Sequence, residues 1–140
     1  MTPEPTEIPG EVQGEPGAVA KNGGAQVTLN VIQDPWTSDN EFIQPDAGKR
    51  FVAFDVTIEN PGDSGTHSAN PFNFKLTDAE SFAYDPTFFG PDPQLGSVDL
   101  GSHEKTRGWI TFQVNQATPL KLLKYDPNFF TTDDIEFRFD

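Results

Sequence analysis

The stretch that decides the fold reads Phe51-Val52-Ala53-Phe54-Asp55-Val56-Thr57-Ile58-Glu59-Asn60. Apolar side chains recur at every second position along it, at Val52, Phe54, Val56 and Ile58. Successive side chains of a β-strand point to opposite faces, so this alternation is typical of a strand with one buried face. The stretch predicts one strand of an antiparallel β protein.

The same period of two recurs on both sides of this stretch. The other predicted strands contain Val27, Leu29 and Val31; Phe72, Phe74 and Leu76; Phe82 to Tyr84; Ile110, Phe112 and Val114; Leu120 to Tyr125; and Ile135, Phe137 and Phe139. The turn formers at 78–81 predict a hairpin between the second and third of these runs. About seven strands without a helical stripe predict an all-β fold, an immunoglobulin-like antiparallel β-sandwich, with a β-barrel as the alternative.

The beginning of the chain has a different composition. Residues 1–24 are rich in Pro, Glu and Gly, and their apolar residues Ile8, Val12 and Val19 are isolated. Such a segment buries too little apolar area to offset the entropy of ordering. We predict a disordered linker over residues 1–24, either a tether behind an export or lipid-anchor signal or an ordinary disordered terminus, and a β-sandwich domain over residues 25–140.

Composition excludes several classes of function. Twenty-two acidic and nine basic residues give a net charge of −13, which opposes binding to nucleic acid or anionic lipid. The chain has no cysteine, so it forms neither disulfides nor thiolate zinc sites. No apolar run approaches the roughly 20 residues that span a bilayer. We expect no cofactor, no nucleic-acid partner and no transmembrane segment, while the oligomeric state stays open.

Five segments together carry a resemblance to a known family. Besides residues 51–60 they are Phe72-Asn73-Phe74-Lys75-Leu76-Thr77-Asp78, Tyr84-Asp85-Pro86, Leu100-Gly101 and Gly108-Trp109-Ile110-Thr111-Phe112-Gln113-Val114. In them the chain resembles the bacterial family called domain of unknown function 4352. That family is similar to the immunoglobulin-like secreted immunoprotective antigens of mycobacteria. The resemblance implies an immunoglobulin-like fold and a secreted or lipid-anchored location, and it supplies no catalytic residue.

A six-residue phrase occurs twice, as Tyr84-Asp85-Pro86-Thr87-Phe88-Phe89 and as Tyr125-Asp126-Pro127-Asn128-Phe129-Phe130. If strand directions alternate, both copies leave strands at the same end of the sandwich. Apolar rings in loops either plug the core or form a contact surface. On the second interpretation, the candidate binding residues are Phe88, Phe89, Phe129, Phe130, Asp85, Asp126 and His67.

Trp109 and Arg107 form a second binding candidate. They share the strand face opposite to Ile110, where stacking of guanidinium on indole would contribute about 0.5 to 1 kcal/mol. Exposure and burial of this face are both compatible with the pattern.

No catalytic or transition-metal site emerges from the motifs. Gly62-Asp63-Ser64-Gly65 has the letters around the nucleophile of chymotrypsin-like proteases, which also need a histidine and an aspartate earlier in the chain. Both histidines follow Ser64, and the residue types around it are turn formers. Aspartates in the predicted loops leave calcium as an alternative, because hard cations bind carboxylate oxygens.

These observations predict a non-enzymatic, extracytoplasmic module of the bacterial cell envelope. Its partner would be a protein or a glycan. The alternative is a small-ligand or cation-binding domain, with calcium held by loop carboxylates.

Overall fold

The computed structural model describes residues 10–127 and 134–139. This part of the chain contains strands and one short 3₁₀ turn, Pro71–Asn73, but no α-helix. The strands, in chain order, are β1 (Glu11–Gln13), β2 (Ala18–Asn22), β3 (Ala25–Trp36), β4 (Lys49–Glu59), β5 (His67–Ala69), β6 (Phe74–Asp78), β7 (Ala83–Tyr84), β8 (Val98–Leu100), β9 (Lys105–Asn115), β10 (Leu120–Tyr125) and β11 (Ile135–Arg138). The all-β prediction is confirmed.

The strands form two principal sheets that enclose the core. One has the order β2-β3-β4-β9 and the other β1-β11-β10-β6-β7, while β5 and β8 pair separately. All pairings between strands are antiparallel except that of β1 with β11. The largest fully buried side chains between the sheets are Tyr125, Phe54, Phe74, Phe112 and Phe137. Burial of each such ring stabilises the fold by about 2 to 3 kcal/mol.

The strand β4 is buried on both faces. Its predicted core side chains, such as Phe54 and Val56, are inaccessible to solvent, but Ala53 and Asp55 on the opposite face are buried as well. The reason is its position between β3 and β9, where Asp55 is covered by hydrogen bonds from Arg107. Local alternation therefore predicted the burial of the inner face correctly, but it did not predict the burial of Ala53 and Asp55 on the outer face.

In β3 the predicted alternation ends at a bulge. Val27 and Leu29 are fully buried, but Val31 is 38% exposed, so its predicted place in the core is wrong. The pairing register with β4 shifts between Leu29 and Val31, and a single extra residue in one strand exchanges the faces of all later side chains. Ile32 accordingly packs against the core instead.

The predicted linker over residues 1–24 is wrong in the part that the structure describes. Strand β1 pairs with β11 and strand β2 pairs with β3. Ala20 is buried and Val12 packs against the core, because sheet edges supply backbone partners that compensate for few apolar residues. Residues 1–9 lie outside the described residues.

The predicted hairpin is present as β6 and β7, and the carboxylate of Asp78 closes it. This buried group accepts hydrogen bonds from the Tyr84 hydroxyl at 2.8 Å and from the N–H groups of Glu80 and Phe82 at 2.9 and 3.0 Å. Burial raises the pKa of Asp78, but these hydrogen bonds and the charge of Lys49 outweigh it and hold the pKa below its usual value.

Replacement of Asp78 by Ala is expected to lower the free energy of unfolding by about 2 to 4 kcal/mol, because the hydroxyl and two N–H groups lose their acceptor. Urea denaturation measures this change. The exposed Asp85 is the matched control, and its replacement by Ala should change stability by less than about 0.5 kcal/mol. Equal effects of the two substitutions would contradict the role of Asp78.

Candidate functional site

The two copies of the repeated phrase leave the sandwich at the same end, as strand parity predicts. Strands β7 and β10 run in the same direction because each pairs antiparallel with β6, on opposite sides of it. Tyr84 ends β7 and Tyr125 ends β10. Only the first copy can be followed throughout, since Phe129 and Phe130 lie outside the described residues.

A buried tyrosine anchors the second copy. The ring of Tyr125 packs on Phe74 with centroids 4.6 Å apart, and its hydroxyl lies 2.8 Å from Nε2 of His67. Asp126 is half-buried, and its N–H donates to the carbonyl oxygen of Asn73 at 3.0 Å. The prediction that His67 edges a binding surface is wrong, because β5 turns this side chain inward against Tyr125 and leaves it 6% exposed.

The buried histidine makes stability depend on pH. Burial lowers the pKa of His67, so the unfolded chain takes up a proton at this ring more readily than the folded chain. The stabilisation from neutral His67 is therefore fully present above the ordinary histidine pKa of about 6.5 and is lost as the pH falls below it, through the lowered pKa of the folded state.

We expect the free energy of unfolding to fall between about pH 7 and pH 5, and His67→Gln to reduce that fall. Urea titrations across this pH range measure both slopes. The exposed His103 provides the control, since His103→Gln should keep more of the wild-type slope than His67→Gln does. The reverse order would refute the role of His67.

The segment of residues 85–95 joins the two sheets on one side of the sandwich. It leaves β7 and follows β9, each of which is the last strand of its sheet. The N–H of Leu95 donates to the carbonyl of Trp109 at 2.9 Å, and the N–H of Thr87 donates to β9 at 2.8 Å. Gly108 permits this approach, because a Cβ there would lie 2.5 Å from the backbone nitrogen of Leu95. The segment covers an edge that would otherwise be open to pairing.

An open groove lies between this segment and the 3₁₀ turn that precedes β6. It has a volume of about 180 Å³. The rings of Phe72 and Phe88 border the groove, and their centroids are 5.6 Å apart. Phe72 is 52% exposed and Phe88 is 77% exposed. We call it the aromatic groove; its apolar lining consists of Pro71, Phe72, Pro86, Phe88, Leu95, Trp109 and Ile110.

The phenylalanines of the first phrase are exposed and do not plug the core. Phe89, next to Phe88, is 49% exposed. Thr87 fixes this turn, because its hydroxyl donates to the carbonyl of Phe89 at 2.9 Å and accepts from its N–H at 3.3 Å. Asp85 is exposed just before it.

The contribution of Phe72 was missed by the sequence pattern, which placed this ring in the core with Phe74. The strand begins only at Phe74, after the 3₁₀ turn. Oδ1 of Asn70 accepts from the N–H of Phe72 at 2.9 Å, and Pro71 occupies the first position of the turn. Asn-Pro is a signal of turn initiation, and it could have indicated that the alternation starts later.

The predicted stacking of Arg107 on Trp109 is wrong. The guanidinium instead binds the carboxylate of Asp55, through Nε at 3.1 Å and Nη2 at 2.9 Å. Asp55 lies directly opposite Trp109 on the neighbouring strand β4. The Arg107 side chain therefore extends from β9 towards β4 to form the ion pair. Trp109 is half-buried and borders both the aromatic groove and a second cavity of about 220 Å³ beside Pro93 and Arg107.

The described residues do not bring Ser64 together with either histidine. The ring of His103 is hydrogen-bonded to Asp63, and the ring of His67 is hydrogen-bonded to Tyr125. Neither histidine is hydrogen-bonded to Ser64. Within residues 10–127 and 134–139, no three carboxylate or imidazole side chains converge as ligands of a metal ion. The same part of the chain contains no helix that is long and apolar enough to cross a membrane.

Comparison with known proteins identifies the family. Residues 15–135 match the family described as Domain of unknown function (DUF4352). The chain belongs to this family. The resemblance found in the sequence is therefore confirmed, and the match includes β2, which the sequence pattern had assigned to the linker. No curated protein matches the DUF4352 chain in sequence.

Solved structures similar to this DUF4352 chain confirm the immunoglobulin-like fold. YcdA of Bacillus subtilis, a predicted lipoprotein, has a TM-score of 0.70 at 16% identity, covering 90% of this chain, which spans 39% of YcdA. YjhA of B. subtilis has a TM-score of 0.68 at 22% identity, covering 91% of this chain and all of YjhA. The secreted Mycobacterium tuberculosis protein MPT63 has a TM-score of 0.63 at 13% identity, with 91% and 97% of the two chains covered.

Substitutions can test whether the groove phenylalanines support the fold. Phe88→Ala is expected to lower the free energy of unfolding by less than about 1 kcal/mol, because the ring is mostly in water. Phe74→Ala, in the core, should lower it by about 3 to 5 kcal/mol. Thermal and urea denaturation compare the two variants, and a loss at Phe88 as large as that at Phe74 would assign Phe88 to the core.

Proposed function

We propose that this DUF4352 domain is a non-enzymatic binding module of the bacterial cell envelope, and that it binds its partner at the aromatic groove. The observation that carries the proposal is the exposure of three neighbouring rings, Phe72, Phe88 and Phe89, beside a groove with Trp109 in its wall. Clustered exposed apolar side chains are typical of interaction sites.

Physical chemistry favours this surface over the rest of the molecule. Aromatic side chains supply most of the binding energy of protein interfaces when a partner covers them. The backbone of the Thr87 turn is fixed by a hydrogen bond to Thr111 of β9 and by two hydrogen bonds between Thr87 and Phe89, so the rings are presented in a preformed arrangement. Preformed sites lose less conformational entropy on binding.

An extracytoplasmic location is part of the proposal. Its support is the similarity in fold to the secreted protein MPT63 and to the predicted lipoprotein YcdA. The partner would then be a protein or a glycan of the envelope, on the same side of the membrane.

The test is capture of envelope components by the immobilised chain. The purified domain is compared with a Phe72→Ala and Phe88→Ala double variant, using a detergent-solubilised envelope fraction of the producing bacterium. We expect the double variant to retain less than about a tenth of the captured material, because two hot-spot rings contribute at least about 1 kcal/mol each.

The chain offers matched controls for this experiment. Phe42 is 88% exposed and Phe82 is 58% exposed, and neither lines the aromatic groove. Phe42→Ala and Phe82→Ala should leave capture unchanged. Equal losses in all variants, or no loss in the double variant, would refute binding at the groove.

A further inference from the structure

The aromatic groove has an uncharged lining, and two acidic residues, called its rim below, are close in sequence to residues that line it. None of the residues that line it carries a charge. Asp85 precedes Pro86, a lining residue, and Asp92 lies two residues before Gln94, another lining residue. Both carboxylates are exposed, and neither forms a hydrogen bond or an ion pair with any residue that the structure describes. They are thus available to a partner.

A basic residue next to Trp109 is already paired with a carboxylate. Arg107, beside the second cavity next to Trp109, is paired with Asp55 at 2.9 Å. The chain as a whole carries a net charge of −13. Charge complementarity therefore favours a cationic partner. The electrostatic field of the molecule attracts cationic partners and repels anionic ones.

The exposed aromatic rings also favour a cationic partner. Arginine and lysine side chains are attracted to the faces of aromatic rings, and the rings of Phe72 and Phe88 meet at 58° with much of each side chain in solvent. An arginine or lysine placed against Phe88 has its charge compensated by the carboxylates of the rim. Its apolar neighbours would enter the groove between the rings and Trp109.

The polar groups of the groove favour a polypeptide over a glycan. Sugar recognition needs several convergent hydrogen-bonding groups, whereas the hydroxyl of Thr111 is buried beneath Gly90 and that of Thr87 is bonded to Phe89. Gln94 is left as the polar lining side chain that is free to bind. The volume of about 180 Å³ is below the roughly 300 to 1,000 Å³ that enclose a whole drug-sized ligand, and it fits single side chains of an extended partner.

We propose that the aromatic groove binds a basic, partly apolar polypeptide segment. An arginine or lysine of the segment lies on the ring of Phe88 or Phe72 and pairs with Asp85 or Asp92, while apolar side chains fill the groove. The inference rests on the proposed function and specifies the chemistry of the partner.

The first experiment selects the ligand without assuming its sequence. Random heptapeptides displayed on phage are selected on the immobilised full chain, with counter-selection on the Phe72→Ala and Phe88→Ala double variant. We expect enrichment of peptides that combine arginine or lysine with apolar residues. Failure to enrich any groove-dependent peptide, or enrichment without basic residues, would overturn the inference.

The second experiment measures the contribution of the rim. Trp36→Phe leaves Trp109 as the only tryptophan of the chain, so its fluorescence reports on the groove while the most enriched peptide is titrated. Asp85→Asn combined with Asp92→Asn should weaken binding about fivefold or more at low salt. Asp39→Asn, exposed in the loop between β3 and β4, is the control and should leave the affinity unchanged. Equal affinities of the rim variant and the control would overturn the role of the rim.

The two proposals fail in different ways. Neutral β-glucan oligosaccharides and peptidoglycan fragments are titrated against the same Trp109 signal. If they bind and no basic peptide does, the groove is a glycan site: the inference on the partner is overturned, and the proposed binding function stands. If envelope capture does not depend on the groove, the proposed function itself fails.

Discussion

Burial of β4 on both of its faces is the constraint on which the rest of the structure depends. Its apolar face meets the second sheet through Phe54, and its other face is closed by the ion pair of Asp55 with Arg107. A strand enclosed in this way needs a neighbour on each side, and β3 and β9 supply them over nearly its full length. Strand β9 is the last strand of this sheet.

The aromatic groove is a consequence of how that sheet edge is covered. An unpaired edge is open to pairing with other chains, and here residues 85–95 occupy it through hydrogen bonds to β9. With the backbone turned toward β9, the rings of Phe88 and Phe89 are left in solvent. The exposed surface proposed for binding and the protection of the edge are thus two results of one segment.

The repeated phrase shows that the same residue type has different structural roles in different surroundings. Tyr125 is a core residue that holds His67, whereas Tyr84 donates to Asp78 and closes a hairpin. The phrase specifies a strand end followed by a turn in both places. Its chemical role comes from the strands around it, and this explains why the sequence left burial or exposure of its rings open and placed His67 wrongly at the surface.

The sequence by itself determined the strand periodicity, the hairpin and the all-β class, because alternation and turn chemistry act between residues close in the chain. The family came from the resemblance of five segments to a known family. The tertiary structure alone decided the bulge that exposes Val31, the pairing of β1 and β2 at sheet edges, and the burial of His67. It also decided that the ring of Phe72 packs against that of Phe88 at the groove. These features depend on contacts between distant segments, and local periodicity carries no information about which segments meet.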